Sequence, residues 1–237
     1  MNLIKKILLL LLLSIASLEA ESIYATFTVE PLHDAKLAFI SGGIVDKITV
    51  DIGSHVKKGE LLAQLQNRDI QAMLEISKTA LKYAEKDYKR QLKIKTLIDE
   101  AKFDSVANRY ESAKNQLAYQ QALYNKTFLR APFNGVIYAK DVEIGDAVSG
   151  LTLKTIFKIQ SQKRRKLILA FDQKYRNIVK VGELFIYKID GDSKTYRGKI
   201  SKVYPRADIQ TRKIQAEVQT TDIIPALFGD GYIQVKK

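Results

Sequence analysis

The chain has no cysteine and no tryptophan, and its 237 residues include only two histidines, two methionines and four prolines. Without cysteine there is neither a disulfide nor a thiolate metal site. The two histidines, His33 and His55, lie outside any HExxH-like context, and His55 sits in a turn where solvent exposure accounts for it. The carboxylates are scattered mostly along helix faces, so no convergent set of acid, base and nucleophile is visible. Beyond Met1 the only methionine is Met73, near the base of a helical stretch where packing accounts for it, so no soft-metal cluster is expected. No catalytic residue, no cofactor and no metal ligand follows from this composition.

Glycine and proline are absent from a defined region. None of the 12 glycines or 4 prolines falls in the 72 residues from Glu60 to Ala131, which predicts long uninterrupted helix. The flanks of this region repeat each other. Gly43-Ile44-Val45, Val50, Gly53 and Val56 precede it; Gly135-Val136-Ile137, Val142, Gly145 and Val148 follow it, each 92 residues from its counterpart. That spacing predicts two copies of one small β unit with the helical region inserted between them. If the copies pack together, the insert must be an antiparallel hairpin.

The hairpin carries a heptad seam. Ile70, Leu74, Ser77, Leu81, Ala84 and Tyr88 alternate steps of four and three, the pattern weakens at Gln91 and Lys95, and it resumes at Ile98. A second seam runs Phe103, Val106, Tyr110, Ala113, Leu117, Gln120, Tyr124. The five-residue step from Ile98 to Phe103 places the reversal near Asp99–Lys102, with Asp104 or Ser105 as cap of the returning helix. Each helix is expected to run about 25–30 residues, so the hairpin projects roughly 40 Å. Its outer faces are rich in Lys, Glu, Gln and Asn, which fits either solvation or side-by-side packing against neighbouring hairpins.

In the flanking copies Gly53 and Gly59 bracket tight turns, while Val50, Val56, Leu62 and Leu65 supply a small core. Pro132 ends the second helix and Gly135 permits a turn into the second copy, which closes with Thr155-Ile-Phe-Lys-Ile. Ile23–Val29 reads as a strand. Alternating segments at Leu167–Phe171, Leu184–Ile189, Tyr196–Val203, Ile214–Thr220 and Tyr232–Val235 predict a small antiparallel barrel. Asp172–Val179 reads as a short helix and Lys163-Arg164-Arg165-Lys166 as a solvated linker. The N-terminus, with Lys5-Lys6, an apolar run of roughly ten residues and small residues after it, reads as a secretory signal peptide over residues 1–20, about 15 Å of helix against a hydrocarbon core of about 30 Å. The net charge of +13 allows nucleic-acid, membrane or acidic protein partners, and export makes nucleic acid the least favoured.

Taken together, Gly43-Ile-Val, Gly53-Ser-His-Val-Lys-Lys-Gly, Leu129-Arg-Ala-Pro-Phe-Asn-Gly-Val, Val181-Gly-Glu, Gly198-Lys-Ile-Ser-Lys-Val-Tyr-Pro and Thr211-Arg212 resemble the periplasmic adaptors (membrane fusion proteins) of tripartite resistance–nodulation–division efflux pumps. The resemblance implies a mainly β protein: a lipoyl/biotinyl-like domain split by an α-helical coiled-coil hairpin, then a β-barrel. The expected organisation is a signal peptide (1–20), an N-terminal strand (21–36) belonging to the barrel or to a membrane-proximal remnant, lipoyl-like halves (37–67 and 129–160), a hairpin (68–128) and a barrel (161–237). It implies a non-enzymatic, periplasmic role: a ring, commonly a hexamer, associated with the inner membrane through its transporter and bridging that transporter to an outer-membrane channel. The family's tip signature of Arg, Leu and Ser falls here on Lys93, Leu97 and Asp104, of which the leucine is retained. Gly43, Gly53, Gly59, Gly135 and Gly145 mark the structural turns of the two halves. The family's membrane-proximal domain, built from both chain ends, is expected to be nearly absent. Flexible joins are expected near Asn67–Arg68, Leu129–Pro132 and Gln160–Lys166.

Other readings are weaker. A lipoyl carrier needs a modified lysine on an exposed turn, and no Met-Lys-Met turn is present. A basic scaffold for cell-wall or membrane anions would need no tip signature. The alternative adaptor, for a type I secretion or ATP-driven export system, is expected to carry a transmembrane N-terminus and a longer hairpin.

Overall fold

A computed structural model describes residues 21–152 and 154–235; the expected signal peptide lies outside the described residues. The chain divides into two units, Asp34–Gln162 and the segments on either side of it.

Asp34–Gln162 holds eight strands and two helices. The strands before the helices are β2 (Asp34–Leu37), β3 (Gly43–Ile48), β4 (His55–Val56) and β5 (Leu61–Leu65); those after are β6 (Phe128–Arg130), β7 (Gly135–Lys140), β8 (Ala147–Val148) and β9 (Phe157–Ser161). They form two four-stranded sheets, β2-β9-β7-β4 and β6-β5-β3-β8. Each sheet therefore takes two strands from each side of the insert, and neither half has a complete sheet alone.

The 92-residue repeat is realised as an exchange of hydrogen bonds. Gly53 N–H donates to the carbonyl of Ile137 and Gly145 N–H to that of Val45, both at 2.8 Å. Ile137 N–H returns to Ser54 O at 3.0 Å and Val45 N–H to Asp146 O at 2.9 Å. The same pairs recur with the two halves swapped. Gly53 and Gly145 have φ of +88° and +94°, in the left-handed region where a Cβ is strained. Gly135 is needed for another reason. It sits in a strand, and a Cβ there would lie 2.4 Å from Gln160 O, so close approach and not a turn excludes a side chain. Val45, Val56, Leu62, Leu65, Ile137, Ile156, Phe157 and Ile159 fill the space between the sheets, each at most 4% exposed. Burying each large apolar side chain contributes about 1.5–3 kcal/mol.

Two helices of equal length cross the insert, α1 (Arg68–Lys93) and α2 (Glu100–Asn125), 26 residues each. At about 1.5 Å per residue each is roughly 39 Å long. Every residue of the two expected seams, from Ile70 to Tyr88 and from Phe103 to Tyr124, is buried or half-buried. Met73, by contrast, is 49% exposed on the outer face of α1, so packing does not account for it.

The other unit is a closed six-stranded barrel in the order β1-β10-β13-β12-β11-β14. Its strands are β1 (Glu21–Pro31), β10 (Arg164–Asp172), β11 (Leu184–Ile189), β12 (Tyr196–Ala207), β13 (Lys213–Thr221) and β14 (Phe228–Val235). β1 pairs antiparallel with both β10 and β14, so the N-terminal strand closes the barrel. Its core centres on Phe27, Phe185 and Tyr187, with Phe185 and Tyr187 stacked at 5.3 Å between ring centroids. Two local expectations are corrected here. The basic cluster is no linker: Arg164–Lys166 opens β10, strand alternation turns Arg165 inward, and its Nε donates to Ile223 O at 2.8 Å. The helix expected over Asp172–Val179 is a single 3-10 turn, Gln173–Tyr175, capped by the Asp172 carboxylate accepting from Lys174 N–H.

Candidate functional site

The hairpin has two ends, and they are built from different chemistry. At the free end α1 stops at Lys93 and the chain reverses through Ile94–Asp99, containing a single 3-10 turn at Lys95–Leu97. The reversal falls several residues before the expected Asp99–Lys102. The reason is the cap: Asp99 itself accepts from the backbone N–H groups of Ala101 (2.9 Å) and Lys102 (3.3 Å), so α2 begins at Glu100. Such a cap satisfies two of the N–H groups a helix start leaves open and is worth about 1 kcal/mol. Asp104 and Ser105 lie inside α2 and do not cap it.

Leu97 is 82% exposed on the reversal, among the most exposed large apolar side chains of the hairpin. Lys93 is exposed at the end of α1, and Asp104 is exposed within the first turns of α2. Lys93 and Leu97 thus share the tip, with Asp104 further along α2. Leu92 and Ile94, 49% and 41% exposed, add apolar surface beside Leu97; they lie off the heptad seam and no sequence signal singled them out. The turn is stiffened from below. Tyr88 stacks on Tyr110 at 5.0 Å and contacts Phe103 at 5.8 Å, and Lys95 Nζ lies 4.7 Å from the Phe103 ring centroid. Gln91 Oε1 is buried beside this cluster without a hydrogen-bond partner, which is the physical content of the seam's weakening there.

At the base, the expected flexible join at Asn67–Arg68 is a closed clasp. Asn67, 5% exposed, stands at the N-cap position of α1, yet its side chain does not cap the helix. Its Nδ2 instead crosses to Thr127 Oγ1 at 2.9 Å, and Thr127 Oγ1 donates to Tyr124 O at 2.7 Å. Leu65 N–H donates to Thr127 O at 2.9 Å, so the first and last residues of the insert are tied to the sheet and to each other. Leu129–Pro132 is likewise held: β6 pairs with β5, and Ala131 N–H donates to Glu60 O at 3.0 Å.

The five glycines are distributed around the sandwich and do not converge. Gly53, Gly59 and Gly145 have positive φ at turns, while Gly43 and Gly135 open strands β3 and β7. Lys140 links the two repeated turns, with Nζ 3.0 Å from Glu143 and 3.8 Å from Asp51, residues that occupy equivalent positions in the repeat. The hydrogen bond to Glu143 raises the Lys140 pKa. Among the described residues no group of three or more His, Cys, Asp or Glu side chains is placed to hold a metal ion. No helix among them is long and apolar enough to cross a membrane. The hairpin tip combines exposed apolar side chains with a rigid support.

Comparison with known proteins places this geometry among relatives. The CzcB-like, barrel-sandwich hybrid domain family matches residues 35–160. An uncharacterized protein of Haemophilus influenzae is 22% identical over 202 residues, covering 84% of the chain and 52% of that protein. The cobalt-zinc-cadmium resistance protein CzcB of Cupriavidus metallidurans is 26% identical over 198 residues, 76% of the chain and 38% of that protein. The chain thus spans about half the length, or less, of these curated relatives. Among solved structures, a MacA-MexA chimera containing the Pseudomonas aeruginosa MexA α-hairpin domain superposes with a TM-score of 0.81 at 19% identity, covering 92% of the chain and 83% of the chimera.

Proposed function

The chain belongs to the CzcB-like barrel-sandwich hybrid family, and from that membership we propose that it is a non-enzymatic periplasmic adaptor. In this reading it joins an inner-membrane transporter of the resistance–nodulation–division type to an outer-membrane channel and assembles as a ring, a hexamer, around an export conduit. The hairpin tip is the channel-facing end, with Lys93, Leu97 and Asp104 at the contact. Residues 1–20 act as the signal that brings the chain to the periplasm.

One observation carries the reading. The hydrogen-bond exchange between the two half-sandwiches and the Asn67–Thr127 clasp anchor both ends of the insert, so the hairpin extends from a fixed base as a strut. A strut of two 26-residue helices whose far end exposes Leu97 while an aromatic cluster locks the turn is suited to docking. A hairpin serving only solubility would have no use for apolar residues at its tip. The function follows from fit and requires no bond making.

The test is capture of the outer-membrane channel from solubilised envelopes by the purified chain. Wild type is expected to retain the channel, and Leu97→Glu to lose it while melting at the wild-type temperature. Equal capture by both chains would refute the tip as the docking end.

A further inference from the structure

The registers of the barrel bring one end of each strand to a common rim. Glu21 pairs with Val235, Leu184 with Gln234, Asp172 with Lys213 and Ala207 with Ile214. β1 therefore starts at this rim and β14 finishes at it, and the β10–β11 connection (173–183) and the β12–β13 turn (208–212) both leave from it. Val179 of the first connection, 3% exposed, joins the barrel core and seals this end. Gln173 N–H donates to Arg212 O at 3.2 Å, so the two connections form one continuous surface.

That surface is cationic and apolar at once. Lys174, Arg176, Lys180, Arg206 and Arg212 are exposed on it and Lys213 is half-buried. No salt bridge among the described residues holds any of the six. Four carboxylates share the rim, Glu21, Asp172, Glu183 and Asp208, and two of them serve their own turns. Asp172 accepts from Lys174 N–H at 2.9 Å, and Asp208 from the N–H groups of Gln210 and Thr211 at 3.0 and 2.7 Å. Between the cations stand two large apolar side chains, Ile209 at 79% exposure and Val181 at 63%. Arg212 has φ of +54°, so the turn keeps a cation at a position that glycine or asparagine takes with less strain.

We propose that this rim docks on an anionic phospholipid bilayer, with Ile209 and Val181 entering the headgroup layer and Arg176, Lys180, Arg206 and Arg212 on the lipid phosphates. Apolar side chains set among cations are what an interfacial membrane contact needs, since the first gain by leaving water and the second by meeting the surface charge. An acidic protein would use the cations alone and leave Ile209 and Val181 in water. The chain on either side of the barrel points the same way. The sequence that enters β1 at this rim carries Lys5-Lys6 and the apolar run from Ile7 to Leu13, and the sequence that follows β14 continues as Lys236-Lys237. Each lysine or arginine near an anionic surface contributes about fivefold in affinity, so four of them make a reversible contact and not an anchor. The inference rests on the periplasmic reading above only for which bilayer is met, the outward leaflet of the inner membrane.

The experiment is co-sedimentation of the purified chain with vesicles of phosphatidylethanolamine containing about 25% phosphatidylglycerol, against neutral phosphatidylcholine vesicles. Wild type is expected to bind the anionic vesicles at least about tenfold more tightly, and to weaken as salt screens the contact. Arg206→Gln with Arg212→Gln, checked for folding by circular dichroism, is expected to lose at least about tenfold on the anionic vesicles. Because the chain has no tryptophan, Ile209→Trp supplies a single reporter. Its emission is expected to shift to the blue on the anionic vesicles and to be quenched by brominated acyl chains, whereas Tyr24→Trp, on the barrel wall, is expected to stay unshifted. Equal affinity of wild type for both vesicles overturns the proposal, and so does unchanged binding by the double variant. An Ile209→Trp emission that vesicles leave unmoved overturns it too, as does a loss by the double variant confined to capture of an acidic protein. Channel capture, tested through Leu97→Glu, is read in its own assay, so failure of the lipid contact and failure of the adaptor reading remain distinguishable.

Discussion

Thr127→Val tests whether the hairpin base is a clasp or a joint. Thr127 is 1% exposed, and valine keeps its shape while deleting the hydroxyl. Asn67 Nδ2 then loses its 2.9 Å partner in a site that is 5% exposed. The carbonyl of Tyr124 keeps its 3.1 Å bond from Thr127 N–H, so the cost is essentially one orphaned amide, about 1–3 kcal/mol. Asn67→Ala removes the other partner, and the two changes are expected to be non-additive by about 1 kcal/mol, since the second has nothing left to break. Global denaturation mixes two independently cored units and does not isolate this term. Native-state hydrogen exchange does, read at the amide of Leu65, which bonds Thr127 O, and at Gln71, which bonds Asn67 O. A coupling of about 1 kcal/mol appears as roughly a fivefold change in protection beyond the sum of the single variants. Strict additivity, or unchanged protection at Leu65 in Thr127→Val, would refute the clasp and restore a loose join.

Other consequences are as direct. Gly53→Ala and Gly145→Ala meet open space, so each is expected to cost only the left-handed backbone penalty of about 1–2 kcal/mol, and by the repeat the two costs should agree; Gly135→Ala, facing Gln160 O at 2.4 Å, should cost more, as read by urea unfolding. Gln91→Leu removes a buried acceptor without a partner from the seam and is expected to stabilise the tip by about 1–2 kcal/mol, slowing exchange at the Phe103 amide, whereas faster exchange would show the glutamine to be satisfied. Burial and a 2.9 Å hydrogen bond to the Asp34 carboxylate push the Tyr138 pKa up to about 12 from an ordinary 10.0. A raised pKa means the contribution is full below pH 10 and is lost as pH rises toward 12; phenolate absorbance should titrate late, and Tyr138→Phe should flatten the fall in stability over that window.

The seams and the repeat were legible in the sequence because both are local patterns of residue type: a heptad needs only spacing, and Val50, Gly53 and Val56 recur in register with Val142, Gly145 and Val148. The reversal was misplaced because register breaks mark the end of a seam, whereas a helix starts where a side chain can cap it, and Asp99 does so. Arg165 was misread because charge density was weighed above strand alternation, which sends every second residue inward whatever its charge. Asn67 read only as part of a flexible join and Thr127 gave no signal, because only the fold brings position 127 within reach of position 67. The apolar neighbours of Leu97 were hidden by a similar omission, since Leu92 and Ile94 fall off the seam and the seam was the pattern being followed.

The interleaving of strands from both sides of the insert has a bearing on how the protein is made. A chain synthesised from its N-terminus delivers β3 to β5 long before β6 to β9 exist to complete either sheet, and β1 waits for β10 and β14. Until then the buried faces of Val45, Leu62 and Leu65 lack the strands that complete their core, whereas the hairpin, stabilised by contacts near in sequence, can form on its own schedule. The helices therefore act as an early organiser, bringing the late strands back to the early ones, while β1, whose barrel partners β10 and β14 lie across the longest intervals, is the last to be secured and the most exposed to wrong partners during folding.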